Sequence, residues 1–127
     1  MKKTYAQHVH LICRDLQGQI DFWSKAFGAA LVEMRSFGGA DGAVMDLNSV
    51  TKLYFKVVDC EPQGTGTPRA GTEHLGVIVD DLDETIALVK TLPGGALVKE
   101  PFMSGPLRCA FISGPEGVLV EIMQEPA

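Results

Sequence analysis

No stretch of this chain approaches the roughly 20 uninterrupted apolar residues that a membrane-spanning helix needs. The N-terminus, Met1-Lys2-Lys3-Thr4-Tyr5-Ala6-Gln7-His8, also lacks the apolar core of a signal peptide, so a cytoplasmic location without a membrane partner is expected. Basic residues are few. Eleven Lys and Arg stand against 16 Asp and Glu, a net charge of −5, with no basic run beyond Lys2-Lys3. That balance excludes nucleic acid and anionic membrane as partners and leaves a small-molecule substrate or another protein. Cysteine is scarce as well: Cys13, Cys60 and Cys109 are odd in number, widely spread and without a CxxC. They fit reduced thiols rather than a disulfide framework or a zinc ribbon. What is abundant is ordinary core material, 46% apolar residues over 127 positions, enough for one self-folding domain and too much for a disordered chain.

The strongest internal signal is a duplication. A shift of 66 residues lays His8 on His74, Ile12 on Ile78, Asp15-Leu16 on Asp81-Leu82, Ile20 on Ile86, Gly28 on Gly94 and Ala30-Leu31-Val32 on Ala96-Leu97-Val98, without a gap. Two copies of about 60 residues are too few and too long for a solenoid, so the chain reads as a doubled supersecondary module. The expected organisation is a single domain over 1–127, built from a module at 1–58, a linker at 59–72 and a module at 73–127.

Periodicity fills in each module. Gln7 to Cys13 is a β-rich run, and Asp15 caps a helix over Leu16 to Phe27, whose Leu16, Ile20, Trp23 and Phe27 recur at helical spacing until Gly28 stops it. Phe22 and Trp23 are core residues. Three strands follow, over Ala29 to Ser36, Ala43 to Asn48 and Lys52 to Val58, joined by the Gly38-Gly39-Ala40-Asp41-Gly42 turn and a tight Ser49-Val50 connection. The second copy repeats this with a strand over His74 to Val79, a cap at Asp81 and a helix over Leu82 to Leu92 ended by Pro93-Gly94-Gly95. Its strands span Ala96 to Lys99, Leu107 to Ser113 and Val118 to Gln124, the last two joined by Gly114-Pro115-Glu116-Gly117. The order is βαβββ, twice. In the linker, Gly64-Thr65-Gly66 superficially matches a phosphate loop, but it lacks the strand-to-helix context that would give the motif meaning.

Alternation along a strand separates a helix-facing side from the opposite face. Val9, Leu11 and Cys13 suit the helix, leaving His8, His10 and Ile12 opposite. Leu75, Val77 and Val79 leave His74 and Ile78; Leu53, Phe55 and Val57 leave Lys52, Tyr54 and Lys56; Val118, Val120 and Ile122 leave Leu119, Glu121 and Met123. In a pseudo-twofold arrangement His8 matches His74, and Tyr54 matches Glu121, because His8 to Tyr54 spans 46 residues and His74 to Glu121 spans 47. Two imidazoles and a carboxylate from different strands, His8, His74 and Glu121, make a facial metal triad with open positions for water or substrate. A carboxylate inside the apolar run Val118 to Met123 needs a partner, and a cation supplies one. His10, two residues from His8 on the same face and so about 6–7 Å away, is either a general acid or base or a cavity-lining residue. Lys56 and Arg108 either neutralise an anionic substrate group or are solvated surface charges.

The motifs His8-Val9-His10-Leu11-Ile12-Cys13-Arg14-Asp15-Leu16 and His74-Leu75-Gly76-Val77-Ile78-Val79-Asp80-Asp81-Leu82, with the closing Gly114-Pro115-Glu116-Gly117-Val118-Leu119-Val120-Glu121, resemble the vicinal oxygen chelate superfamily over essentially the whole chain. That superfamily takes in glyoxalase I, methylmalonyl-CoA epimerase, extradiol dioxygenases and the fosfomycin and bleomycin resistance proteins. The resemblance implies an α+β, glyoxalase-like fold of paired half-barrels around a divalent ion (Ni, Zn, Co, Mn or Fe) with His8, His74 and Glu121 as ligands, and a homodimer. It implies foremost a lyase or isomerase working through a metal-stabilised enolate on a small carbonyl or thioester substrate. An Fe(II) extradiol-type dioxygenase and a metal-free ligand-sequestering protein are the alternatives. Tyr54 departs from the pattern, since glyoxalase- and epimerase-type members carry Glu or Gln at the fourth ligand position. Tyr54 ligates as a phenolate, donates a hydrogen bond to substrate, or fills space.

Overall fold

The computed structural model describes residues 4–62 and 70–127, so Lys2-Lys3 and the Gly64-Thr65-Gly66 segment lie outside the described residues. The chain divides into two compact units, Met1–Cys60 and Glu61–Ala127. The first holds β1 (His8–Cys13), α1 (Leu16–Phe27), β2 (Ala30–Phe37), β3 (Ala40–Leu47) and β4 (Thr51–Val57). The second holds β5 (Leu75–Ile78), α2 (Leu82–Thr91), β6 (Ala96–Ser104), β7 (Leu107–Ser113), a short 3₁₀ turn at Pro115–Gly117 and β8 (Leu119–Gln124). Each unit is a four-stranded mixed sheet with one helix, in the order β1-β4-β3-β2 and β5-β8-β7-β6. In each, the first strand runs parallel to the last and the other pairs are antiparallel.

The duplication is visible in fine detail. The Asp15 carboxylate accepts from the Gly18 N–H at 2.9 Å and the Asp81 carboxylate from the Glu84 N–H at 3.0 Å, each satisfying one of the free donors of a helix N-terminus. The β2–β3 register slips between Leu31 and Glu33, and the β6–β7 register between Leu97 and Lys99, a bulge at the same repeat position in both edge strands.

Helix ends differ for a stated reason. At the end of α1, Gly28 takes the left-handed conformation (φ 69°) and its N–H returns to Ser24 and Trp23, as the sequence predicts. The second helix stops at Thr91, one residue short of the expected Leu92, because the residue before Pro93 is pushed into extended backbone (ψ 143°). The five-residue turn expected after β2 is in fact two residues. Phe37 pairs with Ala40, and Gly38 and Gly39 both take positive φ, as a tight hairpin with matching twist requires. Ala40, Asp41 and Gly42 are therefore strand. The β3–β4 turn is longer than the Ser49-Val50 connection expected and runs over Asn48, Ser49 and Val50, with Asn48 and Ser49 at positive φ. The largest difference is β6, which continues to Ser104 instead of ending at Lys99. Pro101 has no N–H to give a ladder, and it is tolerated because β6 is an edge strand whose register is irregular between Lys99 and Phe102.

Each unit closes its own core between helix and sheet. In the first, Trp23, Met45, Leu53 and Phe55 are wholly buried and Phe22 nearly so; in the second, Leu82, Val89, Ile112, Val120 and Ile122 are. The Trp23 indole N–H donates to the buried Gln19 amide oxygen at 3.3 Å, which satisfies a polar atom that burial would otherwise leave costly. None of Cys13, Cys60 and Cys109 is in a disulfide; Cys13 and Cys109 are buried and Cys60 half-buried, and burial pushes the Cys109 thiol pKa up, with the charge of Glu121 adding to the shift. Among the described residues, no helix is long and apolar enough to cross a membrane.

Candidate functional site

Strand parity holds on both sheets, because burial alternates as expected along β1, β4, β5 and β8. In the first unit the face away from α1 carries His8 and His10 from β1, with Tyr54 directly across from His10 and Lys56 across from Ile12. The Tyr54 ring lies flat against His8, with centroids 3.9 Å apart and planes 9° from parallel. His10, Tyr54 and Phe37 form a closed triangle of rings, with centroid separations of 4.8 Å for His10 to Phe37 and 5.7 Å for each of them to Tyr54. Gly42 leaves room both for the Phe55 carbonyl oxygen and for the Phe37 ring, the latter 2.5 Å from where a Cβ would stand and the former nearer still. Arg35 lies over the rings of Phe37 and Tyr54, and its Nε donates to Glu33 at 2.5 Å. Glu33 and a side-chain hydrogen bond with Tyr54 raise the Arg35 pKa further above its ordinary value.

His10 has its pKa lowered, first by desolvation and then by the neighbouring His8 and Lys56. A lowered value keeps the imidazole neutral near pH 7, with one nitrogen free to accept a proton.

In the second unit Glu121 lies across from Gly76, just as Tyr54 lies across from His10, so Tyr54 and Glu121 are equivalent in the ladder as well as in the sequence. His74 has Nδ1 2.9 Å from a Glu73 carboxylate oxygen and Nε2 3.5 Å from Glu121 Oε1. A carboxylate only accepts, so each contact sets a ring nitrogen against an acceptor: Nδ1 meets Glu73, and between Nε2 and Glu121 stands either a proton or a metal ion. The separation suits a divalent ion: two donors each about 2.1 Å from a zinc-like ion at a tetrahedral angle stand about 3.4 Å apart. His8 is held the same way, its Nδ1 2.6 Å from the Gln7 amide oxygen. Each histidine is thus oriented through Nδ1 by the residue before it, the kind of second contact that fixes the ring of a ligating histidine. Gln7 and Glu73 were not singled out from the sequence, although they too stand 66 residues apart, and the repeat offered that signal. Among the described residues, no group of three His, Cys, Asp or Glu side chains is gathered at one point.

A chain of rings also crosses this second face. His74 meets Phe111 edge-on at 5.0 Å, Phe111 stacks on Phe102 at 5.8 Å, and Lys99 Nζ sits 4.3 Å above Phe102. Arg108 belongs elsewhere: it pairs with Asp83 of α2 at 2.9 Å, an exposed surface ion pair and not a substrate-neutralising group.

The family model described as Glyoxalase/Bleomycin resistance protein/Dioxygenase superfamily matches residues 5–122, and the chain belongs to that family. Solved structures share its α+β, glyoxalase-like half-barrel fold. A glyoxalase family protein from Bacillus cereus superposes with a TM-score of 0.86 at 18% identity, over 100% of this chain and 97% of its own. Fosfomycin resistance protein FosX from Listeria monocytogenes, solved with Mn(II) and sulfate, gives 0.74 at 14% identity, over 99% and 95%. A glyoxalase I mutant from Zea mays gives 0.75 at 22% identity, over 94% of this chain but only 45% of its own. No curated protein matches the chain in sequence.

Proposed function

We propose that this chain is a divalent-metal enzyme, a lyase or isomerase of the glyoxalase I or epimerase kind acting on a small carbonyl or thioester substrate. The observation that carries this reading is His74 Nε2 set 3.5 Å from Glu121 Oε1, an imidazole and a carboxylate spaced as two donors to one ion would be. His8, whose ring is oriented by Gln7 as His74 is by Glu73, would be the third donor. An ion held by these residues supplies Lewis acidity that polarises a substrate carbonyl and stabilises developing enolate charge.

The remaining steps fall to side chains. The neutral His10 takes and returns the proton next to the carbonyl, aided by its lowered pKa. Tyr54, braced between His8 and Arg35, supplies a hydrogen bond to the substrate oxygen. Glu121 would hold the ion, and because Tyr54 stands at the repeat position equivalent to Glu121, no second carboxylate is there to trade the proton. For the same reason the donors reduce to two histidines and one carboxylate. That set also suits Fe(II), which keeps dioxygenation as the second reading.

Elemental analysis of the protein purified without added metal tests the proposal, with His74→Ala beside it. One equivalent of divalent metal in the wild type and none in the variant is expected. Nickel, cobalt, zinc or manganese, with turnover of the hemithioacetal of methylglyoxal, supports the first reading, and iron the second. A wild type that holds no metal and takes none up is instead a binding protein, and the proposal falls.

A further inference from the structure

The two faces are built on one plan, and the places where they differ are informative. Where the first has His10 and Lys56, the second has Gly76 and Met123 at the same ladder positions. The fold stands without this pair, so His10 and Lys56 answer to something other than architecture. Charge on the first face also runs against the chain as a whole, which is −5. Of its cations, Lys52 is neutralised by Asp46 at 2.5 Å and Arg35 spends its Nε on Glu33. Among the described residues Lys56 makes no ion pair with a carboxylate, and the Arg35 guanidinium carbon lies 5.7 Å from the Phe37 ring centroid and 5.3 Å from that of Tyr54.

From this juxtaposition we infer that the first module's face takes an aromatic carboxylate, its anionic group held by Lys56 and Arg35 and its ring laid against Phe37 and Tyr54. The inference rests on the proposed reading that this face meets the substrate. An organic cation is disfavoured beside the rings by the charges of Arg35 and Lys56. A bare inorganic anion leaves the ring platform without a use. Flat π systems, by contrast, pack against aromatic faces and against guanidinium alike, in offset or edge-on geometry. Gly42 belongs to the device, since it lets the Phe37 ring lie down beside Tyr54.

Titration calorimetry with benzoate, cyclohexanecarboxylate, benzyl alcohol and inorganic phosphate tests this, on the protein as purified and with metal content measured on the same samples. Benzoate is expected to bind tightest, and Lys56→Met and Arg35→Leu to weaken it by about tenfold each, the loss of one charge-assisted contact. Lys56→Arg, which keeps the charge, is expected to retain affinity and guards against a folding artefact. Phosphate or cyclohexanecarboxylate binding as well as benzoate overturns the inference, and so does benzoate affinity unmoved by Lys56→Met. If benzoate binds as described to protein without metal, the ion reading fails while this one stands. If metal is present but benzoate shows no preference, the reverse holds.

Discussion

Glu73 holds Nδ1 of His74 at 2.9 Å while Nε2 of the same ring stands 3.5 Å from Glu121, so one imidazole is pinned between two carboxylates by its two nitrogens. The first contact orients the ring and the second sets Nε2 toward the proposed ion. Removing Glu73 frees the ring without touching a ligand. Glu73→Ala is therefore expected to weaken metal binding by roughly 10- to 100-fold, the usual effect of deleting a ligand's orienting partner. Glu73→Gln, whose amide oxygen still accepts as Gln7 does for His8, is expected to recover most of it. Nitrogen-15 spectra of the histidine rings check the cause: in the alanine variant the His74 signal shifts toward the Nε2-protonated tautomer. An unchanged tautomer and unchanged affinity refute the role.

Much of this geometry was legible in the sequence because it is set by periodicity. Parity along β1, β4, β5 and β8 separates the helix-facing residues from His8, His10, Tyr54, His74 and Glu121, and the span of α1 follows from Asp15, the apolar spacing and Gly28. Elements decided by backbone chemistry at one residue were harder to read. Strand β6 was cut short at Lys99 because Pro101 ordinarily ends a strand, and only its edge position lets it continue. The Gly38 to Gly42 stretch looked like one loose turn because three of its five residues are glycine, yet Gly42 is there to pass a ring and not to bend the chain. Arg35 and Phe111 escaped notice since nothing in β2 or β7 marks a residue as reaching over a neighbouring strand.

Tyr54 separates the possible mechanisms. Its ring is stacked on His8 and capped by Arg35, so packing positions its hydroxyl. Tyr54→Phe keeps the stack and removes the donor. Metal content is expected to stay whole while kcat falls by about 10²–10³-fold, the effect of losing one positioned hydrogen-bond donor. Loss of metal in this variant, or disappearance of a phenolate-to-Fe(III) charge-transfer band, identifies Tyr54 as a ligand instead.

Acid stability has an identifiable contributor in the β3–β4 turn. The Asp46 carboxylate accepts from the Lys52 ammonium and from the Ser49 N–H at 2.9 Å, and these contacts hold its pKa below the ordinary 3.8. Because the folded value is the lower one, the stabilisation is complete above pH about 4 and disappears as pH falls through the folded value. Asp46→Asn is expected to lower stability near neutrality and to flatten the loss between pH 4 and about pH 2, measured by urea unfolding at each pH. Parallel pH profiles for the two proteins count against this assignment.

Assembly is expected to involve the edge strands. All of β2 except Phe37 is exposed, and its apolar members Leu31, Val32 and Met34 are 48%, 54% and 58% exposed, an apolar strand whose outer ladder is unsatisfied within its own sheet. Strands of this kind attract a further chain unless charge or curvature blunts them. The Val32 bulge adds curvature, but Arg35 and Glu33 neutralise each other and leave little repulsion. A symmetric pair of identical chains is the commonest way to cover such a surface. Sedimentation at micromolar concentration is therefore expected to show a particle of twice 13.7 kDa. Val32→Lys, which sets a charge into the edge without altering the helix-packed core, is expected to shift it toward the single chain. A wild type that sediments only as one chain, or a variant that remains paired, removes β2 from the interface.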